Sequence, residues 1–424
     1  MKGSEMLIRG TVVCLLLSTL LNASASADEP FRPVAGQFPP IEKALAYRGE
    51  LVFADHVNRR GSLRVQGEGT FFRNAPHPFA MLPYGVISYH GAPAELRDIP
   101  LGTVLHVRAF LPPDPKISAV PVLPINNRER NAGYIGAATA PAENHLLLLE
   151  DEPSHCLREG RVWKLESIDL QGSEWILAAA RVHRDQALDA AGVEKMTLDP
   201  ATRIWRGREL LNVADLISDG TWTAGTKFPL NSQAVWLGIT WKPTPSGVFT
   251  RFHVSDLWLD ETAMQRAIRG QSEQHKALIR SRWMPAWIDA VEYGRFGRAT
   301  ITATLFGGMD AELYADFRKD VPAMMNASEN TLKHVGGAYG PAHMASRGSL
   351  LDVSRVAGPV PLGSSGLQIR FETDLIIEGI RPGRIVRVRP GNWPQVDVPR
   401  EEYLGDGSFS HEDRFPTPAI FPKY

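Results

Sequence analysis

One pattern occurs twice in the chain, and more faintly a third time, and it restricts the fold more than any single motif. A short strand opens each copy and ends near an acidic residue: Gly49 to Asp55, then Gly160 to Glu166, then Ala286 to Glu292. A later part recurs in register. The first copy has Tyr89-His90-Gly91, then Leu96 to Ile99, then Gly102-Thr103-Val104. The second has Trp205-Arg206-Gly207, then Val213 to Leu216, then Gly220-Thr221-Trp222. The third has Ile377 to Ile380, then Pro382 to Val386. Each reads as a strand, a glycine turn, a short helical turn, a second glycine turn and a closing strand. Glycine suits such turns because it accepts positive φ without a Cβ clash.

Period-2 alternation supports strands between these markers. From Ala299 to Leu305, Ile301, Ala303 and Leu305 share one face and Thr300, Thr302 and Thr304 the other, as in a half-buried strand. Leu146 to Leu149 is a continuous apolar run, expected of a strand buried on both faces. One segment reads as helix. Asp260 is an N-cap candidate, Met264, Ile268, His275 and Ile279 follow near helical spacing, Arg280 and Arg282 sit in the last turn, and Pro285 is expected to stop the run. Prolines crowd 112–143 and the tail from 391, which read as linker and extended surface segment. The expected fold is mainly β, with two or three OB-like or small-barrel units: 46–111, 144–258 and 284–390, the last carrying an insertion at 307–366. A connecting helix over 259–283 joins the second and third.

Residues 1–27 read as a secretory signal. Lys2 and Arg9 precede an apolar core at 11–21, and Ala25-Ser26-Ala27 supplies the small residues of a cleavage site. The expected compartment is therefore the periplasm, the cell surface or the medium. No second stretch approaches the roughly 20 apolar residues of a membrane span, so no transmembrane segment is expected after cleavage. Removing the signal takes Cys14 and leaves Cys156 alone, which excludes a disulfide framework and a cysteine zinc site. The balance of 46 Lys+Arg against 47 Asp+Glu lacks the basic excess of a nucleic-acid binder.

The paired "W-R-G … D-L … G-T-W" closures and Gly-to-Asp strand starts resemble the OB-like small barrels of secreted bacterial proteins of unknown function. The resemblance covers about 46–111, 158–242 and 284–390. It implies a barrel with a binding face, and such barrels bind oligosaccharides, oligonucleotides or proteins. It supplies no catalytic pattern, and fold alone does not choose among ligands.

The chain lacks a G-x-S-x-G elbow, H-E-x-x-H, a P-loop, C-x-x-C and G-x-G-x-x-G, so no catalytic residue and no cofactor is assigned. Three constellations remain. His145, Glu150, Asp151, Glu152, His155 and Cys156 form the densest polar group, expected as a solvated acidic hairpin turn at 151–153, with metal ligation the sharper alternative. Asp310, His334 and His343 mark a possible metal or acid–base site in the 307–347 region. All ten tryptophans except Trp393 lie between 163 and 287. Trp205, Trp222, Trp236, Trp241 and Trp258 offer flat faces for sugar rings, against the competing role of core plugs. Arg384 and Arg387, beside the basic residues of the helix, are candidates for an anionic ligand. The expected function is non-catalytic binding of an envelope polysaccharide or a protein partner. A metal-dependent hydrolase and an envelope assembly component are the alternatives.

Overall fold

The computed structural model describes residues 31–394, except 35, 57–58, 66–75, 112–143, 172–173, 189–191, 230–231, 244–249, 328–344 and 375–379. The signal-like segment 1–27, the proline-rich linker 112–143, the tail beyond 394, and both His334 and His343 lie outside the described residues. The fold is mainly β and consists of small barrels.

The first barrel uses β1 (Leu45–Asp55), β2 (Arg60–Val65), β3 (His77–Tyr89), β4 (Ala92–Pro93), β5 (Val104–Phe110) and β6 (Asn144–Asp151). Its order is β2-β1-β5-β6-β3-β4, and an added β2–β3 pairing closes the ring, so 144–151, expected to open the second unit, instead completes the first barrel after the linker. Strand β3 runs parallel to β6, whereas the other ring pairs are antiparallel. Leu51, Leu63, Phe79, Ile87, Leu105, Val107 and Leu149 fill the interior.

A short helix α1 (Glu152–Arg158) leads into the second barrel. That barrel comprises β7 (Arg161–Gln171), β8 (Glu174–His183), β9 (Val193–Leu198), β10 (Arg203–Arg206), β11 (Glu209–Leu211), helix α2 (Val213–Ser218), β12 (Thr226–Lys227), β13 (Trp236–Pro243) and β14 (Thr250–Trp258). Strands β9 and β10 form one bent stave that runs parallel to β14, and β14 pairs antiparallel with β13. Trp163 and Val235 exchange backbone hydrogen bonds of 3.1 and 2.9 Å, which returns the β13 edge to β7. Both barrels thus share one Greek-key order, with the third stave parallel to the last.

The recurring short turns have a common physical basis. In barrel one the backbone N–H of Glu95 donates to Asp98 Oδ2 at 2.9 Å, at the 3-10 turn Leu96–Asp98. In barrel two the N–H of Asn212 donates to Asp215 Oδ2 at 2.8 Å, and Asp215 N–H donates back to Asn212 Oδ1 at 3.0 Å. An aspartate three residues into each turn satisfies a donor that the helix start leaves free.

The third barrel departs from that pattern. Its staves are β15 (Met284–Tyr293), β16 (Ala299–Phe306), β17 (Pro322–Ala327), β18 (Ser346–Arg355), β19 (Ser364–Thr373) and β20 (Ile385–Pro390). They close in the order β15-β16-β19-β18-β17-β20, all antiparallel. The region 307–366, expected as an insertion, therefore holds two staves of the barrel, β17 and β18, together with helix α4 (Ala311–Ala315), so it is structural. Helix α3 (Glu261–Arg282) precedes this barrel, and Asp260 caps it by accepting the Ala263 N–H at 2.9 Å. The helix ends before Pro285 is reached: Trp283 takes φ 66°, and Pro285 already belongs to β15. Arg387 of β20 donates from one guanidinium nitrogen to the terminal carbonyls of Arg282 (2.8 Å) and Trp283 (3.3 Å). Among the described residues no helix is long and apolar enough to cross a membrane.

Helix α3 touches all three barrels. Gln271 and Gln274 donate to Asp98 of barrel one at 3.0 and 2.8 Å. Glu261 pairs with Arg184 of barrel two. Lys276 reaches Glu312 of α4 at 2.6 Å. Barrels one and three also share an apolar junction of Leu82, Tyr84, Phe110, Leu147, Trp287 and Phe306.

A candidate binding cleft between two barrels

Strand register sorts the tryptophans. Trp205 of β10 pairs with Trp258 of β14, and Trp258 pairs on its other side with Trp236 of β13. Side chains at paired positions point to the same face of a sheet. The three indoles therefore form one cross-strand row. Trp236 and Trp258 are buried among Val162, Ala180, Val182 and Met264, and Trp205 emerges half-buried at the end of the row. The other two candidates are elsewhere. Trp222 is a core plug of barrel two beside Leu216 and Leu237, and Trp241 lies half-buried against Phe252 with ring centroids 6.0 Å apart.

Where the row surfaces, a cleft of about 260 Å³ opens between barrel two, barrel one and α3. Trp205, Trp258, Ala263 and Ala267 make its apolar wall, and His90, Arg203, Asp256 and Arg266 supply polar groups. Asp256 is buried and accepts from Arg203 at 2.7 Å and from the Trp205 indole N–H at 3.3 Å, which fixes the tilt of that ring. Asp260 serves twice, capping α3 and accepting the Gly207 N–H at 2.7 Å, so the β10–β11 turn and the helix start are tied together. Arg266 donates to the Arg208 carbonyl at 3.1 Å.

His90 enters from barrel one on the two-residue β3–β4 turn. Both turn residues have positive φ, 52° at His90 and 77° at Gly91, as the tight hairpin demands. A Cβ on Gly91 would lie 2.5 Å from Leu157 and 3.1 Å from Ile268, so glycine also lets α1 and α3 close over the turn. The His90 ring meets the edge of Trp258 with centroids 4.9 Å apart. Burial holds its pKa down at about 4, so the imidazole is neutral at pH 7, with one ring nitrogen able to donate and the other to accept a hydrogen bond. The same hairpin of each OB-like copy, Tyr89-His90-Gly91 and Trp205-Arg206-Gly207, thus meets its counterpart at this cleft.

The acidic segment at 150–152 is not the solvated hairpin turn expected from sequence. Asp151 ends β6 and caps α1, and Glu150, Asp151 and Glu152 are all buried. Glu152 is the centre of a charge hub between barrels one and two. It accepts from Arg48 at 3.0 Å and from the Trp163 indole at 3.1 Å, lies 2.7 Å from His106 Nε2, and pairs with Arg181 at 3.1 Å. Hydrogen bonding to His106 leads the interactions that hold its carboxyl well below the usual range against the opposing effect of burial. The buried Cys156 thiol donates to Glu152 at 3.4 Å, and desolvation, then this carboxylate, push its pKa well up. His145 is buried in barrel one, and His155 instead stacks on His106 at 3.7 Å. Glu152, Arg48, His106, Trp163 and Arg181 are committed to one another across the interface, and beside them His106, with Glu150, His155 and Arg158, lines a small pocket of about 60 Å³.

Asp310 accepts the Glu312 N–H at 2.9 Å as the cap of α4 and hydrogen-bonds Ser272 of α3. Its two expected partners lie outside the described residues, and among the described residues no three His, Cys, Asp or Glu side chains are grouped to hold a metal ion. Arg387 is wholly buried in its helix-capping role, while Arg384 is half-buried at the start of β20. Arg282 and Lys276 are buried too, whereas Arg266, Arg269 and Arg381 are exposed, so the basic cluster read from sequence is not one surface patch. Sequence reasoning passed over His90, Arg203 and Asp256. The one signal was the recurrence of the aromatic-x-Gly turn, which marks equivalent hairpins but does not say that they meet.

No protein-family model, no curated protein and no solved structure matches the chain.

Proposed function

We propose that the protein is an exported, non-catalytic binding protein that takes a segment of envelope polysaccharide in the cleft between its first two barrels. The observation that carries this reading is the half-buried Trp205 face beside Arg203, Asp256, Arg266 and neutral His90. An indole face packs against the C–H groups of a sugar ring, and fixed charged and neutral donors and acceptors select its hydroxyls. The volume is at the small end for ligand sites, which suits one or two rings of a longer chain and not a bulky cofactor. Asp256 already serves Arg203 and Trp205, so the cleft has no free carboxylate pair for glycoside cleavage.

Isothermal titration of the protein against neutral and uronic-acid polysaccharides tests this. Saturable binding that weakens at least about tenfold in Trp205→Ala, with the fold intact by circular dichroism, supports it. Binding unchanged in Trp205→Ala, or no binding by any polysaccharide, sinks it.

A further inference from the structure

The hairpin joining β15 and β16 projects from the third barrel with its most apolar residue outermost. Phe296 is 99% exposed and Tyr293, on the same hairpin, 69%. The loop is closed at its base by a 2.8 Å hydrogen bond from Gly294 N–H to the Arg298 carbonyl, and it is folded enough to contain the 3-10 turn Arg295–Gly297. Within it Phe296 is held at φ 59°, ψ 35°, followed by Gly297 at φ 80°. A left-handed conformation is unfavourable for a bulky aromatic residue. The turn fixes the backbone, and a phenyl ring that it holds wholly in water calls for a second environment in which that ring is buried.

The charges around the tip indicate which environment. Arg298 pairs with Asp374 at 3.1 Å, and Glu292 pairs with Arg370 at 3.5 Å, both toward the body of the barrel. Glu372 lies further back, opposite Thr300 in the sheet. Arg295, directly before the phenylalanine, makes no ion pair or side-chain hydrogen bond with any described residue. The tip thus combines two exposed aromatics with a guanidinium that has no ion-pair partner among the described residues. Tyrosine sits at the headgroup level of bilayers, phenylalanine packs at the headgroup–acyl boundary, and a neighbouring cation is drawn to anionic lipid phosphates. A convex tip also enters a deformable surface without a preformed complementary pocket.

We propose that this tip is an anchor for the surface of an anionic lipid bilayer, with Phe296 and Tyr293 entering the interface and Arg295 against the phosphates. The inference is independent of the polysaccharide cleft. It concerns a peripheral contact, weak for one molecule and reversible.

Co-sedimentation of the full chain with vesicles of phosphatidylcholine and phosphatidylglycerol, about 3:1, is the test. Any contribution from the apolar stretch 11–21 is common to all variants, so the comparison is between them. The partition coefficient should fall about tenfold in Phe296→Ser and less in Arg295→Gln, the latter difference vanishing at high salt. A second readout reports depth directly: in Phe296→Trp the added emission should shift to the blue on anionic vesicles and be quenched by brominated acyl chains. Equal partition of wild type and Phe296→Ser, with the added tryptophan unquenched, overturns the proposal. So does an effect of Phe296→Ser confined to self-association without lipid, which would reassign the tip to a second copy of the chain.

Discussion

Replacing Glu152 with glutamine should loosen the junction of the first two barrels. The side chain is fully buried and faces two guanidinium groups, an imidazole and an indole N–H. Glutamine keeps the shape but removes the charge and presents an amide N–H₂ to groups that are themselves donors. Breaking a buried ion pair from one side costs about 3–5 kcal/mol. The lower end applies here, because Glu194 still reaches Arg181 at 2.7 Å and Arg48 at 3.7 Å. About 3 kcal/mol corresponds to roughly a hundredfold rise in the population of the opened junction. Cys156 reports that population, since its thiol is buried against Glu152 and is modified only through opening. The assay is the rate of alkylation at Cys156, read by peptide mass spectrometry so that adducts at Cys14 are scored separately. Alkylation should be about a hundredfold faster in Glu152→Gln and unchanged in Glu159→Gln, whose carboxylate is half-exposed and, among the described residues, pairs only with Arg158. A rate within about threefold of wild type in Glu152→Gln would refute the claim that this carboxylate holds the two barrels together.

Two further outcomes follow from burial. Trp222→Ala should destabilise barrel two by about 3–5 kcal/mol in chemical denaturation while leaving the affinity of the Trp205 cleft unchanged in whatever fraction remains folded, because Trp222 lies in the core and does not line the cleft. The protein should also lose stability in acid. Desolvation holds His90, His145, His253 and His275 at about 4, against an unfolded value near 6.5, so the unfolded chain binds more protons between those limits and stability falls as pH falls from about 6.5 to 4. Asp151, raised by burial to about 7, acts in the opposite sense and offsets about one of the four. The midpoint of urea unfolding should therefore drop between pH 6.5 and 4, and a midpoint that is flat or rises would contradict this balance.

Sequence made the local units legible and hid their closure. The Asp98 and Asp215 turns, the Asp260 cap and the alternation at 299–305 are features of short range, visible because the capping partners are three apart and the alternation repeats every two residues. The small-barrel architecture followed from them. Two things did not follow: β6, read as the head of the second unit, is paired into the first barrel from beyond the linker, and the third unit's six-stave antiparallel order depends on β17 and β18, which read as an insertion. Glu152 was misread for a related reason. An acid-rich run looks solvated until Arg48 and Arg181, 133 residues apart in the chain, are brought to it from two different barrels. The cleft lies between these cases: Trp205 and Trp258 were visible as aromatic residues, but their row is a property of strand register, and His90 joins them only through the packing of one barrel on another.

The capping of α3 by Arg387 has a consequence in time. The carbonyl of Arg282 and the guanidinium that satisfies it are separated by 105 positions. At ordinary rates of synthesis, 5–20 residues per second, roughly 5–20 s pass between completion of the helix and arrival of its cap. Strand β20, which carries that arginine, is also the stave that joins β15 to β17. Until it emerges, a nascent chain holds two finished barrels, a helix frayed at its far end and a third sheet with open edges. Edges of that kind invite pairing with other chains. A chaperone acting on this protein therefore has its clearest task in that interval, and a stall before residue 385 would leave the chain in its most aggregation-prone form.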